Sequence, residues 1–90
     1  MNTLGELRYE VEKLHEELLH LIVKRKDLVR QIWELKKIDN ADMIDLGREK
    51  ALIEQFDHTQ VLESDPALKN LYHNVVKNII AENKKYARQA

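Results

Sequence analysis

The sequence predicts an all-α protein: three helices per chain, the first of them long and packed against another subunit. Three observations predict it. The chain of 90 residues is 43% hydrophobic and 34% charged yet holds only two glycines and one proline. So few turn formers among many Leu, Glu and Lys residues leave little besides helix. Leu4, Leu7, Val11, Leu14, Leu18, Leu21, Leu28, Ile32 and Leu35 fall on a three- and four-residue rhythm, the seam of a helix packed on partner helices. At about 1.5 Å per residue that helix is roughly 50 Å long. So long an amphipathic face in so short a chain calls for burial against a second subunit.

Each element has its own signal. The first helix spans about residues 3–37, with Thr3 as N-cap and Glu6 three residues later, as in a capping box. A break at 38–43 contains Asp39, Asn40 and Asp42, which favour turns and caps. The second helix follows over about 44–57, with Ile44, Leu52, Ile53 and Phe56 as its apolar residues. A second break covers 58–65. Asp65-Pro66 then starts the third helix, Asp as N-cap and Pro at the first helical position. That helix runs to about residue 88 with Leu68, Tyr72, Val75, Val76, Ile79 and Ile80 facing inward. No repeat or low-complexity segment interrupts the chain, so residues 1–90 read as a single helical domain.

Composition also excludes several classes. Net charge is -1, from 15 basic and 16 acidic residues, which argues against a nucleic-acid partner. Without cysteine there are no disulfides or thiolate metal sites. Glu6, Arg8 and Glu10 stand where a signal peptide needs an apolar run. Leu21-Ile22-Val23, the longest clean apolar run, cannot span a bilayer. The expectation is a soluble, cytoplasmic protein with no membrane partner. His15, His20, His58 and His73 lack metal-ligand spacing and are assigned to the surface. Trp33 and the tyrosines are assigned to packing. No phosphate loop or nucleophile motif is present.

The chemistry lies in polar residues on inward faces. Arg25 occupies the seam position between Leu21 and Leu28 where a leucine is expected. A guanidinium there is costly unless an anion meets it. Lys36 lies eleven residues on, about three turns, and projects on nearly the same side. Together they predict a buried anion site. On the second helix Asp45, Arg48, Glu49 and Leu52 share a face. That puts Arg48 and Glu49 at the core edge, or leaves them as a surface ion pair. Asn83 continues the stripe of Tyr72, Val76 and Ile80 towards Ala87; it is either a polar group on an apolar face or a solvated residue near a fraying end. Arg8 is 17 residues, roughly 25 Å, from Arg25. It is either solvated or delivered to the same ligand by an antiparallel partner.

These residues resemble the all-helical, AroQ-type chorismate mutases along nearly the whole chain. The match rests on Leu7-Arg8 with the stripe from Leu14 to Ile22, on Lys24-Arg25 with Leu28, and on Leu35-Lys36. It continues through Asp45, Arg48-Glu49 and Leu52-Ile53 to Tyr72 and Ile79-Ile80. The resemblance implies an intertwined homodimer whose long helices pair across the two-fold axis. It implies that Arg25 binds one carboxylate of chorismate and that Arg8, in trans, binds the other. Lys36 would hydrogen-bond the ether oxygen of the breaking bond. Glu49 would hold the ring hydroxyl with Asp45 near it, Arg48 would line the site, and Asn83 would contact a carboxylate. The implied reaction is the pericyclic rearrangement to prephenate in the shikimate pathway, with no metal or cofactor. A cationic pocket serves it by holding the compact conformer and stabilising charge on the ether oxygen.

One departure stands out. The family places a glutamine or glutamate one turn after Asn83, donating to the ether oxygen; here that position is Ala87. Gln89 is rotated about 200° away from that direction. Losing such a donor typically costs about 10²–10³ in rate. The same pocket would also suit an isochorismate pyruvate lyase or an aminodeoxychorismate mutase. A non-catalytic helical dimer that kept the fold, or a plain coiled-coil module, are the readings from another class. Trp33 stands where a smaller residue is expected.

Overall fold

The computed structural model describes residues 3–38 and 46–89. Four helices occupy them: α1 (Leu4–Ile38), α2 (Leu46–Glu54), α3 (Gln60–Glu63) and α4 (Pro66–Gln89). No strand occurs among the described residues. The all-helical class therefore holds, and the expected count of three is corrected to four among the described residues. The extra element is a single turn inside the stretch expected to be a break. Thr59 is extended at its N-cap, and the Glu63 and Ser64 amides bond back to the Thr59 and Gln60 carbonyls at 2.9 and 3.0 Å. Leu62, the one buried apolar side chain among the described residues, anchors this turn.

The caps explain where the long helices begin. The Glu6 amide donates to Thr3 Oγ1 at 3.2 Å, and the Thr3 hydroxyl donates to the Glu6 carboxylate at 3.2 Å. This ties off one orphan amide of the first turn. At α4 the Leu68 amide donates to Asp65 Oδ1 at 3.1 Å, the cap that Asp-Pro predicts. α2 ends at Glu54, three residues earlier than expected. The chain tightens there into turns, with Asp57 N–H on the Glu54 carbonyl at 3.1 Å and Thr59 N–H on the Phe56 carbonyl at 3.0 Å. The exit frees Asp57 to face α4. Its carboxylate meets His73 Nε2 at 2.5 Å and Lys69 Nζ at 3.9 Å. His73 is thus half-buried and paired, a correction to its surface assignment. Phe56 packs edge-on against Tyr72, ring centroids 6.1 Å apart.

α4 is the centre of the packing: it touches α1, α2 and α3, and among the described residues no other pair of helices packs. Only the C-terminal part of α1 is covered. Arg25, Lys26, Val29, Trp33 and Lys36 are half-buried, whereas every residue from Thr3 to Lys24 is exposed. The seam leucines are therefore bare in the single chain, Leu14 at 61% and Leu21 at 63% of full exposure. The molecule measures 56 × 29 × 16 Å with a radius of gyration of 16.6 Å, against about 12 Å for a compact chain of this length. Its surface of 7660 Å² exceeds by roughly 2,200 Å² what a compact monomer of this mass exposes. No helix among the described residues is long and apolar enough to cross a membrane.

Candidate active site

α4 lies across α1 and α2, and the three helices enclose a cavity of about 280 Å³. That is near the lower end of the roughly 300–1,000 Å³ usual for small-molecule sites. Its walls are apolar: Leu28, Val29, Ile32 and Trp33 from α1, Leu52 from α2 and Ile80 from α4. Into this space project Arg25 and Lys36 from α1, Arg48 and Glu49 from α2, and Asn83 and Lys84 from α4. Four cations thus face one carboxylate. Apolar walls lower the local dielectric and strengthen each charge interaction.

Arg25 Nη1 donates to Asn83 Oδ1. Burial lowers the pKa of Arg25 from its ordinary value, but a guanidinium stays protonated in proteins. Asn83 satisfies a donor without cancelling the charge, and no described carboxylate pairs with Arg25. Asn83 is half-buried, so the fraying reading does not apply to it. Lys36 is half-buried too, with no hydrogen bond or ion pair among the described residues. An anion entering the cavity would meet both cations.

Glu49 is the one acidic group in the cavity wall among the described residues. Its side chain keeps 17% exposure, and its ion-pair partner is Lys84 of α4. Glu49 Oε1 is enclosed from solvent and lies against the Lys84 ammonium. Oε1 is shielded by this contact, so a ligand would meet the carboxylate through the part of the side chain that stays exposed. Arg48 is exposed at the rim and has interactions of its own.

Arg25, Lys36, Arg48, Glu49 and Asn83 thus meet in one cavity. Arg8 does not join them: it is exposed near the far end of α1, roughly 25 Å from Arg25. Asp45 and the Ala87 side chain lie outside the described residues. Lys84 was not singled out from sequence, although it follows inward-facing Ile80 by four residues and so shares its face. Among the described residues no group of three acidic or histidine side chains gathers to hold a metal.

No curated protein and no solved structure matches this chain at a meaningful level. One family description, chorismate mutase type II, matches residues 7–88. With nearly its full length matched, the chain belongs to the chorismate mutase type II family, the AroQ class.

Proposed function

We propose that this protein is a chorismate mutase acting as a homodimer, with residues 1–90 forming one catalytic domain. The observation that carries the reading is the meeting of Arg25, Lys36, Arg48 and Lys84 in an apolar-walled cavity that holds Glu49 as its described acid. A dianion that rearranges in a unimolecular step asks for this: countercharge, a fixed conformer and no nucleophile. In the proposed mechanism a carboxylate of chorismate binds Arg25, and Asn83 turns its amide N–H groups to the same carboxylate. The Lys36 ammonium donates to the ether oxygen, where negative charge grows as the bond breaks. The Glu49 carboxylate accepts from the ring hydroxyl, with Asp45 near it. Arg48 closes the rim. Bond making and breaking then stay within the substrate.

The second substrate carboxylate is assigned to Arg8 of the partner subunit. Support comes from the bare seam of α1 and the roughly 2,200 Å² of surplus surface. A two-fold antiparallel pairing of α1 would bring Arg8 of the partner subunit towards Arg25, covering the distance that one chain cannot. Ala87 favours a second reading, a dimer that binds the dianion but turns it over weakly or not at all, because one ether-oxygen donor is missing.

A chorismate-depletion assay with chromatographic product identification, on this chain and on Ala87→Gln, tests the proposal. Prephenate from the chain itself supports a mutase that works without the second donor. Turnover by Ala87→Gln alone selects the second reading. Pyruvate released from isochorismate would reassign the site to lyase chemistry. Failure of both proteins to bind or convert chorismate would refute the reading.

A further inference from the structure

We infer that Lys84 is a specificity-determining residue, selecting a neutral hydroxyl over an ammonium at the ring substituent that Glu49 holds. The inference rests on the chorismate reading and deepens it. An isolated carboxylate in an apolar cavity is a natural partner for a protonated amine. Glu49 is not isolated: the Lys84 ammonium lies against Oε1. The pair is also well placed to act on a ligand. Lys84 keeps 26% side-chain exposure and Glu49 17%, and both line the cavity that holds Arg25 and Lys36.

The pair is part of the wall as well. Glu49, Ile80 and Lys84 line this cavity on one side and a separate outer groove, with Lys77 and Lys85, on the other. Lys84 therefore cannot move far from Glu49 without opening the cavity into that groove. A second cation brought to Glu49 would lie within a few ångströms of the first, and like charges so placed cost several-fold to hundred-fold in affinity. A hydroxyl meets no such repulsion. It can donate to the Glu49 carboxylate, whose side chain stays 17% exposed beside Lys84. The remaining charges around the site, Arg25 and Lys36 on α1 and Arg48 on α2, are also cationic and act in the same direction.

The test compares chorismate with aminodeoxychorismate, its analogue with an amine in place of the ring hydroxyl. Binding is followed by the fluorescence of Trp33, the single tryptophan, which lines the cavity, and kcat and KM are measured where turnover occurs. The chain is expected to bind chorismate at least about tenfold more tightly than the amine. In Lys84→Met that ratio should fall to near one or invert, and Lys84→Arg should restore it. A general structural defect would weaken both ligands alike and leave the ratio in place. An unchanged ratio in folded Lys84→Met, or a lost ratio in folded Lys84→Arg, overturns the inference and leaves the mutase reading standing. If the unaltered chain binds neither compound, the mutase reading falls and this inference with it.

Discussion

Leu18→Glu places a charge in the middle of the bare seam of α1, where the proposed two-fold partner must pack. Leu18 is 43% exposed in the single chain and is flanked one turn away by Leu14 and Leu21 at 61% and 63%. A face this apolar on a chain with about 2,200 Å² of surplus surface implies roughly 4,400 Å² buried between two copies, within the range of obligate dimers. The unaltered chain should therefore sediment as a dimer at micromolar concentration. In the variant each copy would bury a carboxylate without a partner, at a cost of about 3–5 kcal/mol. Two-fold symmetry counts that cost twice, so the dissociation constant should rise by at least about 10⁴-fold. Sedimentation equilibrium across a concentration series reads it directly. A monomeric unaltered chain, or a variant that dimerises as well as its parent, refutes the reasoning.

Arg25→Met should raise the melting temperature while weakening chorismate binding by at least about tenfold. It removes a desolvated charge whose described partner is a neutral amide and with it the charge-assisted bond to a carboxylate. Asp57→Ala should destabilise the fold by about 1–3 kcal/mol in thermal or urea unfolding, because it strips half-buried His73 of its partner; an unchanged midpoint would mean that the pair is idle.

The sequence made some of this legible because local rules and tertiary packing agree. Thr3 and Asp65-Pro66 announce helix starts through cap chemistry that acts within four residues. The α1 seam follows from periodicity alone, and so does Arg25 as the residue that breaks it. The single turn at Gln60–Glu63 was not legible: four residues carry no period, and the turn rests on burial of Leu62. Asp57 and His73 are 16 residues apart on different elements, a pairing that no local pattern encodes. Lys84 was hidden for a different reason. A lysine near a helix end reads as solvated, and only the placement of α2 across α4 shows that Glu49 draws it inward. Trp33 reads as an oversized residue from sequence; in the fold its indole is cavity wall beside Ile32 and Leu52.

The central claim is that one anion site is built from two chains, with Arg25 from one and Arg8 from the other. It is tested most directly by mixing Arg8→Ala with Arg25→Ala, each expected to be inactive alone, in whichever of the unaltered chain or the Ala87→Gln background turns chorismate over faster. After joint unfolding and refolding, random pairing makes half of the dimers mixed, and each mixed dimer holds one intact site of two. Activity should return to about one quarter of the unmutated level. A mixture no more active than the two variants assayed separately would contradict a shared site.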